Sequence, residues 1–193
     1  MHDIFLIKVS SLTDYTIPFK GLKQGKHELE FEISDKFFSE FEGSEITKGN
    51  LTASVLLEKN STFLKLDVHI SGSAEVVCDR CLDTFYAPVD YTGNLFVKFS
   101  EREAYEEDDD VLFLPPSESE LDLKQYLFDW ICLSLPVRRV HPDDTNGNSL
   151  CNSEMIKRLN ELIVSTEPKG AAESNQEDWK NKLNELKSNI KDN

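Results

Sequence analysis

The sequence predicts an α+β protein, in which an antiparallel β-sheet core is packed by one main helix and followed by a helical C-terminal extension. Two observations lead to this prediction. Apolar and polar residues alternate through much of residues 1–100, which is typical of strands with one buried and one solvent-facing side. After residue 120 the apolar residues recur at helical spacing instead.

The alternating segments define the strands of the predicted sheet. In residues 27–33 the apolar side chains fall on one face and three glutamates fall on the other. Residues 51–70 contain two such runs on either side of the polar stretch 58–61, which predicts a β-hairpin. Further β-prone runs complete the sheet at residues 74–77, 84–91 and 95–99.

Two amphipathic helices are predicted beyond the sheet. The first begins at Asp122 and is ended by Pro136, and the second spans residues 154–164. Residues 165–178 contain few apolar side chains, which predicts a linker. The predicted organisation is an α+β domain at 1–164, a linker at 165–178 and a C-terminal amphipathic helix at 179–193.

The charge of the chain is concentrated in one segment. The net charge is −15, and residues 101–120 contribute −8 of it through nine acidic residues and one Arg. Such a segment repels phosphate, which argues against direct tight binding of RNA and favours a basic protein partner. Asp108, Asp109 and Asp110 are its candidate partner-binding residues, and a solvated loop is the alternative interpretation.

Four cysteines in 193 residues are too few for a disulfide scaffold. The N-terminal residues show no basic leader or cleavage site, and no apolar run approaches the roughly 20 residues that span a bilayer. We therefore expect a cytoplasmic protein with no membrane segment and with free or metal-bound thiols. Cys132 lies on the apolar side of the first helix and is expected to pack in the core.

A Cys-x-x-Cys motif, formed by Cys78 and Cys81, lies between two strand-like runs. Two cysteines at a tight turn aim both sulfurs at one point and supply half of a tetrahedral metal site. His141 and Cys151 are the candidates for the other half, although their ten-residue spacing is wider than usual. The prediction is a structural zinc site, and the alternative is a set of reduced cysteines beside a surface histidine.

Enzymatic signals are weak in this sequence. A dithiol oxidoreductase that uses Cys78 and Cys81 is one alternative, but a strand rather than a helix follows the motif, and the nearby Asp83 is expected to raise a thiol pKa. No nucleophile–base grouping and no glycine-rich phosphate loop is visible. The chain is therefore predicted to be non-catalytic.

The C-terminal apolar stripe contains Trp179, Leu183 and Leu186 at helical spacing. A helix this short is marginal alone in water, so it is expected to dock on another surface. The sequence leaves two possibilities open, namely that the helix folds back on the sheet or that it binds a partner.

The order of these motifs resembles the YceD-like family, the large ribosomal RNA subunit accumulation proteins. The resemblance spans roughly residues 60–190 and rests mainly on Cys78-Asp79-Arg80-Cys81, on Leu133-Ser134-Leu135-Pro136, and on the terminal Trp179 stripe. It implies a non-catalytic role in ribosome biogenesis. By position, Cys78, Cys81, His141 and Cys151 match the family's Cys/His pattern, whereas many members carry a further Cys-x-x-Cys where this chain has Cys151 alone.

The family role and the acidic charge together suggest a partner. A chain this acidic is expected to promote accumulation of large-subunit RNA by binding a basic ribosomal protein or a large-subunit precursor, with residues 101–120 as the docking segment. The alternative is a zinc-stapled adaptor module in another cytosolic complex.

Overall fold

The computed structural model describes residues 15–100 and 111–162 of the chain. The strands are Thr16–Ile17 (β1), Gly25–Ile33 (β2), Gly49–Lys59 (β3), Phe63–Val77 (β4), Thr84–Phe99 (β5), Val111–Leu114 (β6) and Leu121–Asp122 (β7). The helices are Asp35–Phe38 (α1), Lys124–Ser134 (α2) and Ser153–Leu162 (α3), and Phe19–Gly21 forms a 3₁₀ turn.

Five strands form the main sheet in the order β2-β3-β4-β5-β6, and β1 pairs with β7 in a separate two-stranded ribbon. The first four strands pair antiparallel, which confirms the predicted sheet and its α+β class. The fourth pairing differs, because β6 runs parallel to β5 and lies within residues 101–120, where no strand was predicted. Its apolar residues Leu112 and Leu114 pack against the core, and this burial explains why a strand forms there.

Strands β4 and β5 are longer than the sequence runs that predicted them. The separate runs at 74–77 and 84–91 join the neighbouring runs through Gly72 and Gly93, so glycine does not interrupt either strand. Gly72 has φ +143°, and a Cβ at this position would lie 2.3 Å from the Asn50 carbonyl oxygen. The close approach of β3 to β4 at this point therefore requires glycine.

One face of the sheet carries the core. Its inward side chains, including Phe31, Leu57, Leu66 and Val97, are almost completely buried. Helix α2 packs on this face through Leu127, Trp130 and Ile131, and the Trp130 ring stacks on Tyr91 of β5 with the centroids 5.6 Å apart. The prediction that one main helix packs the sheet is confirmed.

The start of α2 and the position of Cys132 differ from the sequence predictions. The helix begins at Lys124, and Asp122 instead lies in β7, where its carboxylate accepts a hydrogen bond from the Lys124 N–H at 2.8 Å. The prediction that Cys132 packs in the core is wrong, because its side chain is exposed. Leu127 and Ile131 define the buried side of the helix, and Cys132, one position further round, faces away from it.

The chain divides into two compact units, Met1–Asn152 and Ser153–Asn193. The second contains α3 at Ser153–Leu162, within the segment predicted to be helical. No helix in the described part of the chain is long and apolar enough to cross a membrane.

We predict that Gly72→Ala lowers the free energy of unfolding by about 3 kcal/mol, because the new Cβ meets the β3 backbone and the φ angle disfavours an L-residue. Urea unfolding measures this change. Gly21→Ala is the control, since a Cβ added there would meet no atom within 4 Å beyond its chain neighbours and the stability should change little. Equal stabilities of the two variants would contradict the prediction.

Candidate metal centre

The turn between β4 and β5 presents the first two candidate ligands. Cys78 follows the last residue of β4, and its N–H donates to the Asp83 carbonyl at 2.9 Å. The Leu82 N–H donates to the Cys78 carbonyl at 2.9 Å, and Leu82 adopts φ +64°. These two hydrogen bonds close a tight turn that holds Cys78 and Cys81 at the end of the sheet, with both side chains buried.

The segment after α2 is tied to this turn through its backbone. The Asp79 N–H donates to the Arg139 carbonyl at 2.7 Å, and the Arg139 N–H donates to the Asp79 carboxylate at 2.6 Å. His141 follows two residues later. The centroid of its ring lies 4.7 Å from that of the Phe85 ring on β5. This contact places the imidazole on the side of the turn that faces β5.

The loop between His141 and Cys151 folds back on itself. The Leu150 N–H donates to the Pro142 carbonyl at 3.4 Å, and the Asp144 carboxylate accepts hydrogen bonds from the N–H groups of Asn146 and Asn148 at 2.8 Å each. The ends of the loop therefore meet, which explains how two ligands ten residues apart reach the same point.

Two side-chain contacts join this loop to the Cys-x-x-Cys turn. Arg80 donates to the Ser149 hydroxyl at 3.1 Å, and the Asn152 amide donates to the Asp83 carboxylate at 3.0 Å. Both contacts flank Cys151, which is buried. The last candidate ligand is therefore positioned from both sides.

The structure brings Cys78, Cys81, His141 and Cys151 together, with one potential ligand atom from each within 4.8 Å of all the others. The Cys78 and Cys151 sulfurs are 3.8 Å apart, and the Cys81 sulfur is 3.4 Å from His141 Nδ1. A tetrahedral zinc ion with ordinary bond lengths requires about 3.8 Å between two sulfurs and about 3.5 Å between sulfur and nitrogen. The spacing and the donor set therefore fit zinc.

The Cys78 sulfur lies among hydrogen-bond donors. Burial opposes its ionisation, but the N–H groups of Cys81, Arg80 and His141 point at it. These donors, with the His141 side chain, lower the pKa of the Cys78 thiol to about 6. A thiolate is the form of cysteine that binds a metal ion or attacks a disulfide.

The surroundings of Cys81 act in the opposite direction. Burial raises the pKa of its thiol, and the neighbouring sulfurs of Cys78 and Cys151 raise it further, although the N–H groups of Asn152 and Asp83 act against this. The expectation that Asp83 raises the thiol pKa is therefore wrong. Its carboxylate accepts a hydrogen bond from Asn152, and its backbone N–H lowers the pKa of Cys81.

Sequence reasoning selected the four clustered residues but missed those that position them, namely Asp79, Arg80, Phe85 and Asn152. Asp79 and Arg80 stand inside the Cys-x-x-Cys motif, yet no local pattern in the sequence identifies their partners some 60 to 70 residues away. The predicted partner-binding residues lie outside the described part of the chain: Asp108, Asp109, Asp110, Trp179, Leu183 and Leu186.

We predict that one thiolate of the metal-free protein forms with a midpoint near pH 6, as followed by ultraviolet absorbance while circular dichroism monitors the fold. Because the folded pKa lies below the ordinary value of about 8.5, this group stabilises the fold fully above pH 8.5 and loses that contribution as the pH falls to about 6. Cys78→Ser should remove the step. A first thiolate that forms only above pH 8 in the folded wild-type protein would contradict the prediction.

Comparison with known proteins agrees with the order of motifs along the chain. The family described as Large ribosomal RNA subunit accumulation protein YceD matches residues 66–187, which is more than half of the chain and includes all four clustered residues. No curated protein and no solved structure shows significant similarity. From the extent of the family match, the chain belongs to the YceD family.

Proposed function

We propose that Cys78, Cys81, His141 and Cys151 bind one structural zinc ion. The observation that supports this most directly is the convergence of three cysteines and a histidine at distances that fit a tetrahedral ion. All three cysteines are buried, and four protein ligands leave no open position for a substrate. The ion would therefore act on stability rather than on chemistry.

The zinc ion would fasten the β4–β5 turn to the segment at 136–152. Apart from the clustered ligand side chains themselves, the described contacts between these two parts are a few hydrogen bonds, and most of them involve exposed groups. Exposed hydrogen bonds each add only about 1 kcal/mol, whereas structural zinc sites contribute folding free energy outright. Loss of the ion should loosen this end of the domain first.

We predict about one equivalent of zinc in protein purified without chelator or added metal, measured by elemental analysis. Cys81→Ser and Cys151→Ser should each lose most of the metal and lower the melting temperature, because each removes one ligand. Cys132→Ser is the matched control and should retain the metal, since Cys132 is exposed and lies outside the cluster. Far less than one equivalent in the wild-type protein would refute the zinc site.

We further propose that the protein is a non-catalytic ribosome biogenesis factor, which promotes accumulation of large-subunit RNA by binding a basic ribosomal protein or an assembly intermediate. Membership of a family named for this accumulation supports the biological role. The net charge of −15 supports a basic protein partner over direct RNA binding. The acidic segment 101–120 would supply electrostatic attraction, and the Trp179 stripe would supply an apolar contact.

Two alternatives remain distinguishable by experiment. A zinc-stapled adaptor in another complex would share the metal but not the ribosomal partner. A dithiol oxidoreductase is favoured by the lowered pKa of the Cys78 thiol, but the burial of Cys78 and Cys81 restricts access to a substrate disulfide. Turnover of a disulfide substrate by the zinc-free protein would support the oxidoreductase.

We predict that neutralising Asp108, Asp109 and Asp110 together weakens association with large-subunit precursors and flattens its salt dependence, because fewer charges then attract the partner. Sucrose-gradient sedimentation of tagged protein from lysate, at low magnesium and two salt concentrations, measures this. The wild-type protein should move with the precursors and leave them at high salt. Unchanged co-sedimentation of the variant would count against a docking role for these three aspartates. Wild-type protein found only at the top of the gradient would weaken the proposed role in ribosome biogenesis.

A further inference from the structure

The five-stranded sheet has a second face, opposite the one that packs on α2, which we call the outer face. On β2 to β5 its side chains alternate with the buried ones and are exposed or half-exposed. On β2 to β5 it carries seven carboxylates and three lysines, so it is strongly acidic. The carboxylates are Glu28, Glu30, Glu32, Glu58, Glu75, Asp67 and Asp90, and the lysines are Lys26, Lys65 and Lys98.

The carboxylates on β2 have no cationic side chain directly opposite them on β3. Glu28, Glu30 and Glu32 occupy successive outward positions of this edge strand and are all exposed. Their cross-strand neighbours on β3 are uncharged, namely Leu56, Ser54 and Thr52. None of the three carboxylates forms an ion pair within the described chain, whereas Asp67 pairs with Lys65 and Glu75 pairs with Lys48. An unpaired row of like charges favours a cationic neighbour.

The row borders an open groove of about 1030 Å³ that crosses the strands. Along one line of paired residues, Glu30 is followed by Ser54, His69 and Thr92, which all offer hydrogen-bonding groups. Beside this line, Leu56 supplies a half-exposed apolar contact. The groove thus combines negative charge at one end with polar and apolar contacts along its length.

Two other ligand classes fit the groove less well. Ca²⁺ takes six to eight oxygen ligands around one point, whereas Glu28, Glu30 and Glu32 form an open row of exposed side chains along one strand, with backbone positions about 7 Å apart. A nucleic acid backbone would be repelled by the same carboxylates. A chain that presents separated positive charges remains, which describes a segment rich in lysine or arginine.

We propose that the outer face docks an extended basic segment of the partner protein. This proposal rests on the proposed role as a partner of basic ribosomal proteins. Its cationic side chains pair with Glu28, Glu30 and Glu32. Its polar groups meet Ser54, His69 and Thr92 along the groove. An extended segment matches the row because its side chains on one face repeat at the same spacing as the outward carboxylates of β2.

The test is an NMR titration of the full-length chain with a short synthetic peptide of alternating lysine and threonine, at an ionic strength of about 0.05 M. We expect chemical-shift changes at Glu28, Glu30, Ser54, His69 and Thr92. Combined Glu28→Gln, Glu30→Gln and Glu32→Gln should weaken binding on the order of tenfold, from three exposed ion pairs.

The matched control is the triple variant Glu42→Gln, Asp129→Asn and Asp143→Asn, which makes the same change in net charge at exposed positions outside the sheet. It should bind the peptide nearly as well as the wild-type protein does. Equal weakening by both triple variants, shifts confined to residues 101–120, or no wild-type binding would each overturn the docking face.

The proposed role is tested separately by co-sedimentation with large-subunit precursors. If the wild-type protein moves with the precursors but the peptide shifts lie away from the groove, the docking face fails and the role stands. If the peptide binds the groove as expected but the wild-type protein stays at the top of the gradient, the result counts against binding to assembly intermediates, and the acidic face remains a docking site for basic peptides.

Discussion

The long antiparallel pairing of β4 with β5 is the constraint on which the rest of the structure depends. It runs without interruption from Phe63 opposite Lys98 to Val77 opposite Thr84. A ribbon of this length fixes the register of every side chain on both faces, because a slip of one residue would expose the core. It also sets the position of the Cys-x-x-Cys turn, which begins where the ribbon ends.

The apolar core thins toward the Cys-x-x-Cys turn. Near the middle of β4 and β5 the buried side chains are large, such as Leu66 and Leu95, whereas at the turn they are Cys78, Cys81 and Cys151. Small side chains bury less apolar area and therefore contribute less hydrophobic free energy. A bound metal ion at this position would replace the missing core, which is the usual role of structural zinc in small or peripheral parts of a fold.

The sequence was sufficient for the features that depend on local periodicity. The antiparallel strands, helix α2 and the four clustered residues all follow from spacing and residue chemistry. The features it missed depend on long-range pairing. Gly72 and Gly93 look like strand ends in isolation but lie opposite Val89 and Val68 in the sheet, where ladder hydrogen bonds hold them. The parallel placement of β6 follows likewise from burial against β5.

The hydrogen bonds that hold the candidate metal ligands in place were not predicted either, because they also join residues far apart in the sequence. Asp79 and Arg139 exchange two hydrogen bonds across 60 residues of chain, and neither residue type is unusual for a turn. For Cys132 the local sequence was instead misleading, because it predicted burial for a side chain that is exposed. Its neighbours Ile131 and Leu133 are both apolar, yet of these two only Ile131 is buried, because consecutive helical residues point about 100° apart. An apolar neighbourhood in sequence is therefore not evidence of burial unless the helical face is known.

The groove on the outer face and the candidate metal centre lie on the same ribbon but are too far apart to interact strongly by electrostatics. From His69, at the groove, to Cys78, at the turn, β4 extends over nine residues, up to about 30 Å of strand. This exceeds the screening length of about 8 Å at physiological ionic strength. The carboxylates of the groove therefore exert little influence on the thiols, and substitutions at the two places should affect stability and binding additively.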